Sequence, residues 1–298
     1  MNKKVSVVIP FYNGVGRLRA CLNALARQTY PAADYEIVAI DNGSTEDVTS
    51  LRQAFPEVRW LFEAQPGPAC ARNRGLTQAT GDVIAFTDAD CLPAPNWLQE
   101  AVNALENTGA TVIGGRIDYI DPPGGSLNPN EMIEENFFLL ARQKYLVEKL
   151  GVAATANLIT YRKIVDKIGG FDPALLSFCD GDWVQRATRV GEILVYADAA
   201  LVLHPRRSTF RGLFNKVRRT AGDKIVFMKK RRETIAAFLR DLFRFSPLSP
   251  LVHGTALVFP NARGLGQRIH LFFLVELLCL AATFERLRML LGGKGYRG

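Results

Sequence analysis

Through its first ninety residues the chain alternates short apolar runs rich in β-branched residues with segments of helical periodicity, and few folds accommodate that rhythm. Val5 to Ile9 precedes the helical pattern Val15 to Gln28, Tyr35 to Ile40 precedes Glu46 to Phe55, Arg59 to Phe62 precedes a helix near Ala69 to Gln78, and Val83 to Phe86 follows. Continuous apolar runs mark strands buried on both faces, and helical crossovers make those strands parallel. The expected fold class is therefore α/β: a Rossmann-like, mainly parallel central sheet with helices on both faces, plus a helical C-terminal extension. With 48% hydrophobic residues among 298, such a sheet can be buried, which excludes a disordered, collagen-like or small disulfide-stapled protein.

In such sheets ligands gather outside the carboxyl ends of the strands. Those ends read Pro10-Phe11-Tyr12-Asn13, Asp41-Asn42-Gly43-Ser44 and Asp88-Ala89-Asp90. Downstream, the pattern predicts a helix over Asn96 to Glu106 and a strand over Thr111 to Ile117. A long helix over Glu131 to Leu150 and a strand over Val152 to Tyr161 come next. After the turn Gly169-Gly170-Phe171-Asp172-Pro173 comes a helix carrying Asp180, Asp182 and Trp183, then the strand Ala199 to Leu203 ending at His204.

Asp88 and Asp90 carry the sharpest chemical signal. Two carboxylates two residues apart at a strand end can share a divalent cation with a diphosphate, since Mg2+ and Mn2+ prefer oxygen ligands and often take a carboxylate together with substrate phosphates. A pair of solvated turn aspartates is the plainer alternative. Asp41 can accept hydrogen bonds from a nucleobase, or simply make an Asx turn or helix cap, since Asn42-Gly43-Ser44 is turn chemistry in any protein. Tyr12 offers a ring for a base to stack on, or is core. Arg72 can pair with a phosphate, or lie on a solvated helix face. Asp180 or Asp182 can act as a general base within hydrogen-bond reach of a hydroxyl, or cap a helix. His204 is a metal or phosphate contact, or structural.

Taken in order, Val5-Ser6-Val7-Val8-Ile9-Pro10-Phe11-Tyr12-Asn13, Asp41-Asn42-Gly43-Ser44, Ala71-Arg72-Asn73-Arg74-Gly75 and Asp88-Ala89-Asp90 resemble the nucleotide-sugar half of the family 2 glycosyltransferases, which have the GT-A fold. Gly169-Gly170-Phe171-Asp172 and Leu201-Val202-Leu203-His204 are similar to that family's acceptor half. The resemblance spans about residues 4 to 205. It implies a catalytic domain over 1–205, with a nucleotide-sugar half to 110 and an acceptor half over 111–205, followed by a helical region over 206–298. It also implies inverting transfer of a sugar from a nucleotide diphosphate donor, a UDP-sugar first among them, with Mn2+ or Mg2+ as cofactor. Pro10, Tyr12, Asp41 and Arg72 would then hold the nucleotide, Asp88 would face ribose or sugar, and Asp90 would ligate the metal, with Asp88 and His204 as further ligand candidates. Asp180 would stand in the base position and Asp182 is its rival, because Cys179 replaces the first acid of the family's Glu-Asp pair. Processive members carry a QxxRW motif after the base; none follows Trp183, so single-sugar addition to a glycan or lipid-linked acceptor is expected.

The C-terminal third differs in charge. Residues 205–232 hold eleven bases against the single acid Asp223, a local +10 in a chain whose total is +8. Leu213, Phe214, Val217, Ala221, Ile225 and Met228 form a helical stripe there, and Leu271 to Phe284 is apolar except for Glu276 and Thr283, short of a full membrane span. Three roles suit this region: peripheral contact with an anionic membrane, packing on the catalytic domain, or an oligomer interface. Five scattered cysteines without a CxxC pair indicate neither zinc nor a disulfide framework and fit a cytoplasmic protein, peripheral at the membrane. Two other functions compete. A sugar-nucleotide nucleotidyltransferase would want a denser glycine loop than Gly14-Val15-Gly16, and a nucleic-acid binder using the basic tail would want a recognisable motif; no nucleic-acid partner is expected.

Overall fold

The computed structural model describes residues 2–122, 124–138, 142–231, 234, 259, 262–293 and 295. Two compact units emerge: one comprises Met1–Ile120, Leu140–Pro173 and Cys179–Pro205, the other Asp121–Leu139, Ala174–Phe178 and Arg206–Gly298. The expected break at Ser246 to Pro250 lies outside the described residues.

The first unit is built on β1 (Val5–Phe11), α1 (Val15–Leu25), β2 (Tyr35–Asp41), α2 (Thr49–Ala54), β3 (Arg59–Phe62), α3 (Pro68–Leu76) and β4 (Val83–Phe86). It continues with β5 (Leu92–Pro93), α4 (Trp97–Asn107) and β6 (Val112–Tyr119). In the second unit α5 spans Pro129–Phe137. The chain then returns to the first unit for α6 (Gln143–Leu150), β7 (Leu158–Tyr161), α7 (Arg162–Ile168), α8 (Cys179–Arg189) and β8 (Leu194–His204). One eight-stranded sheet results, in the order β3-β2-β1-β4-β7-β6-β8-β5. The pairs β1–β2, β1–β4, β2–β3 and β6–β8 are parallel, while β7 runs antiparallel to β4 and β6, and β5 to β8.

Side-chain alternation explains the layering. Val5, Val7 and Ile9 of β1 pack in one cluster with Leu18, Leu22 and Leu25 of α1 and Trp97 and Leu98 of α4, while Val8 points to the opposite face, where α3 lies. There Gly75 is obligatory: a Cβ on it would stand 2.6 Å from Val8 Cγ1 and 2.8 Å from Ile40 Cδ1. Each fully buried apolar side chain contributes about 1.5–3 kcal/mol, so the two faces of β1 anchor the sheet. Because Phe11 is in register with Asp41, and Asp41 with Phe62, β1, β2 and β3 deliver their last residues to one edge.

Two expectations are corrected. Glu131 to Leu150 is not one helix: α5 ends where Phe138 turns to extended backbone (φ −102°, ψ 145°), and α6 starts at Gln143. Apolar periodicity runs through both, and no glycine or proline marks the break. The strand expected over Val152 to Tyr161 shrinks to β7, because a 3-10 turn over Thr155–Asn157 precedes it. The buried Asn157 amide holds that turn in place, donating to the carbonyls of Arg116 and Ala200 while accepting from Trp97 Nε1 at 2.8 Å.

In the second unit, α5 packs with α9 (Phe210–Lys230) and α10 (Gly264–Leu290). The stripe read from the sequence is its core: Leu213, Val217 and Ala221 meet Met132 and Ile133 and the inner face of α10, at Leu271, Val275, Leu278 and Ala282. Carboxylates are buried among them. Glu134 accepts from Arg207 at 2.9 Å and Lys216 at 2.8 Å, and Glu285 pairs with Arg218 at 3.1 Å and with Arg288. Asp223 accepts the backbone N–H groups of Leu176, Ser177 and Phe178 at 2.8, 2.8 and 2.9 Å.

Candidate active site

The site lies in the first unit, at the carboxyl edge of its strands. After β1 the chain turns through Asn13 (φ 55°) and Gly14 (φ 75°), left-handed conformations that asparagine and glycine tolerate. The Asn13 side chain secures the turn by accepting from the Thr45 and Glu46 backbone N–H groups, while its own N–H donates to Ser44 Oγ at 2.7 Å. Pro10 is the penultimate residue of β1, and the next-but-one residue, Tyr12, is 54% exposed at the edge, not core. Asp41 is buried and accepts from Ser44 N–H at 2.8 Å, closing the Asx turn. Asn42, which sequence reasoning passed over as turn chemistry, donates to the Glu63 and Gln65 carbonyls and accepts from Gly67 N–H, tying the β2 end to the start of α3.

Arg72 is not on a solvated helix face. Its side chain is buried, donates to Asp88 Oδ1 at 2.8 Å, approaches Cys179 Sγ at 3.9 Å and lies over the Phe171 ring at 5.9 Å. Despite burial, its guanidinium is held above its usual range by Asp88, Cys179 and Asp180. The neighbouring Asn73 clasps Phe171 in both directions, donating to its carbonyl and accepting its N–H, each at 2.7 Å. A Cβ on Gly170 would stand 2.3 Å from Asn73 Oδ1, so the Gly-Gly-Phe turn and the Ala-Arg-Asn-Arg-Gly helix are halves of one joint.

Asp90 faces His204, whose Nε2 is 3.7 Å from Asp90 Oδ1. His204 is buried, and its Nδ1 stands 2.7 Å from the Pro205 carbonyl oxygen, an acceptor only, so Nδ1 carries a proton. In the neutral ring Nε2 is then the lone-pair nitrogen, turned toward Asp90 in the orientation a metal ligand needs. Ligand atoms of Asp90, Cys91 and His204 lie within 4.8 Å of one another. Burial, reinforced by Asp88 and Asp90, pushes the Cys91 thiol well above its usual range, so it stays protonated and a weak donor. The fitting set is one carboxylate oxygen from Asp90 and one imidazole nitrogen from His204.

The two acids of α8 part company. Asp180 accepts from Gly181 N–H at 2.8 Å and Thr155 N–H at 3.4 Å. Burial raises its carboxyl above the usual range, against the pull of Arg72. Asp182 is engaged by Arg186 at 3.0 Å, and that arginine also donates to the Ile168 and Gly170 carbonyls, so the pair braces the glycine turn. The structure thus links Arg72, Asp88 and Asp180 electrostatically, pairs Asp90 with His204, and commits Asp182 to a structural bond. The sequence set Asn73 beside Arg72 and Cys179 beside Asp180 but assigned neither a role; the structure shows Asn73 clasping Phe171 and Cys179 beside the Arg72 guanidinium.

An open curled sheet with acidic residues at its carboxyl edge and helices around it defines a GT-A-type fold. A mannosyltransferase from Pyrobaculum calidifontis, solved with GDP-Man and Mn2+, superposes with a TM-score of 0.62 over 96% of this chain and 88% of its own, at 18% identity. GalNAc-T7, solved with UDP, GalNAc and Mn2+, gives 0.54 over 69% of this chain and 44% of its own, at 21% identity. At such identities the likeness concerns fold. In sequence, the family described as Glycosyl transferase family 2 matches residues 6–169. The glycosyltransferase AglE of Haloferax volcanii is 34% identical over 254 residues, 83% of this chain and 82% of its own length. The chain belongs to the family 2 glycosyltransferases and is an enzyme of that class. Membership decides against the nucleotidyltransferase and non-enzymatic readings.

Proposed function

We propose that the protein transfers one sugar from a nucleoside diphosphate sugar, a UDP-sugar first, to a hydroxyl of a glycan or lipid-linked acceptor, with inversion. Residues 1–110 bind the donor, 111–205 meet the acceptor, and 206–298 form the helical tail. The observation that carries this reading is the Asp90–His204 pair beside the Arg72–Asp88 ion pair. Tyr12 stacks on the base, Asp41 and Pro10 line its pocket, and Asp88, held by Arg72, faces the ribose or sugar. Asp90 and His204, with Asp88 adjoining, hold Mn2+ or Mg2+; when bound, the cation supplies positive charge where the leaving diphosphate develops its negative charge. Asp180 accepts the proton of the acceptor hydroxyl as that oxygen bonds to the anomeric carbon and the glycosyl–phosphate bond breaks, its electron pair leaving with the diphosphate. A single displacement of this kind inverts the anomeric centre. Asp180 is favoured over Asp182 because it lies in the electrostatic field of Arg72 and Asp88, whereas Asp182 pairs with Arg186 and braces the glycine turn. The basic tail holds the enzyme peripherally at the cytoplasmic face of an anionic membrane, where lipid-linked acceptors lie.

The test is hydrolysis of a panel of nucleotide sugars with Mn2+ or Mg2+ against EDTA. Metal-dependent release of one nucleoside diphosphate, lost in Asp90→Ala, is expected. Metal-independent turnover that survives in Asp90→Ala overturns the assignment.

A further inference from the structure

Helix α10 has two apolar faces, and among the described residues only one is covered. Leu271, Val275, Leu278 and Ala282 are buried against the unit's core. On the outside, Ile269, Phe273, Leu277, Leu280, Phe284 and Leu287 are exposed, with Phe273 at 61% and Phe284 at 66%. Leu265 and Leu291 prolong the row by a turn at each end. Between Ile269 and Leu290 the fully exposed positions carry no charge; His270 is the one polar residue among them. A row this long and apolar is costly to leave in water.

We propose that this outer face is the surface by which the protein lies flat on an anionic lipid leaflet, with the axis of α10 in the plane of the interface. The proposal rests on the peripheral-membrane part of the reading above and not on the sugar chemistry. Three observations select the occupant. First, charge is complementary to an anionic surface: Arg211, Lys229 and Lys230 of α9 are exposed, while its one acid, Asp223, is buried. Acidic headgroups attract such bases.

Second, no acid is exposed along the row from Ile269 to Leu290: Glu276 is partly buried and Glu285 fully buried, so nothing on this face opposes an anionic surface. Third, α10 is long and apolar enough, by length and composition alone, to cross a membrane. Its inner face, however, packs at Leu271, Val275, Leu278 and Ala282 with α5 and α9, contacts that a spanning helix would give up. An in-plane helix instead sinks its apolar face to the acyl boundary and leaves α9 toward the headgroups.

The test uses the full chain with vesicles of phosphatidylcholine alone or mixed with phosphatidylglycerol. Co-sedimentation with the mixed vesicles at low ionic strength is expected, at least tenfold above that with phosphatidylcholine. Phe273→Ser with Phe284→Ser lowers it tenfold or more, and Phe273→Leu with Phe284→Leu retains it. Tryptophan placed singly at Ile269, Leu277 and Leu287 is quenched equally by lipid brominated near the headgroup. Wild-type protein left in the supernatant, a serine pair that binds as well as wild type, or a leucine pair that does not bind overturns the proposal. So does quenching graded with depth along the helix, the mark of a span. A wild-type dimer that the serine pair makes monomeric, with no vesicle binding, assigns the face to a second copy and equally overturns it. Metal-dependent donor hydrolysis, measured on the same preparations, stays unchanged in the serine pair. Its absence in a wild type that binds vesicles counts against the transferase reading alone.

Discussion

The two units handle charge in opposite ways. In the first, the buried Asp41, Arg72 and His204 and the partly exposed Asp88 and Asp90 all gather at the carboxyl edge of the sheet. The second buries Glu134, Asp223 and Glu285 inside a helical core and turns leucines and phenylalanines outward. Of the fifteen large hydrophobic residues exposed among the described residues, nine lie between Leu265 and Leu291. The first pattern suits a fold surrounded by water and presenting polar groups to a ligand. The second suits a non-aqueous neighbour, with interior ion pairs fixing how its helices meet.

The contrast can be broken by substitution, and the largest effect is expected in the first unit. Asp90→Ala should lower metal-dependent transfer on the order of 10^3-fold, read as kcat/KM for the preferred donor, while leaving the melting temperature nearly unchanged. In the second unit the sensitivity is to folding. Glu285→Ala strands Arg218 and Arg288 and should cost about 3–5 kcal/mol in urea unfolding. By contrast Phe273→Ser on the outer face should change stability in lipid-free buffer by less than about 0.5 kcal/mol.

A smaller and sharper effect concerns pH. Burial raises the Asp180 carboxyl, so its base form is lost as pH falls through a value above the ordinary carboxylate range, and the acid limb of kcat should sit correspondingly high. The Arg72 charge opposes that shift, so Arg72→Met should move the limb further toward neutrality and lower kcat about 10^2-fold. An unmoved limb would remove Asp180 from the base role.

The smallest effect belongs to Lys216, whose ammonium is pushed down to about 8 by burial and then by Arg207, against the pull of Glu134. With a folded pKa below the unfolded one, the unfolded chain binds more protons between about 8 and 10.5, and stability from this group rises with pH across that window. Lys216→Met should flatten that rise in urea titrations at pH 7.5, 9 and 10.

What could be read from the sequence follows the same division. Strands β1 to β4 and the acidic ends of β2 and β4 were legible because β-branched runs stop at polar residues, and because position at a strand end carries meaning in a parallel sheet. The basic helix was legible because Leu213, Val217, Ala221, Ile225 and Met228 fall on one face, and all five are buried. Arg72 was not: an arginine in a short helix resembles a solvated one until Asp88 and Phe171 close around it. The end of α5 at Phe138 was hidden because aromatic and leucine residues continue the pattern past it. The buried acids of the second unit were hidden for a related reason, since Glu134 and Glu285 look like solvent-facing positions until their partners from other helices arrive. Leu271 to Phe284 concealed its two faces because both are apolar.

A single displacement with Asp180 as base fixes the anomeric configuration of the product. With water as acceptor and an α-linked nucleotide sugar as donor, proton NMR in the first minutes distinguishes the anomer released before mutarotation. Wild type should release the β anomer first, and Asp180→Asn none. Early α anomer, or undiminished release from Asp180→Asn, would contradict it.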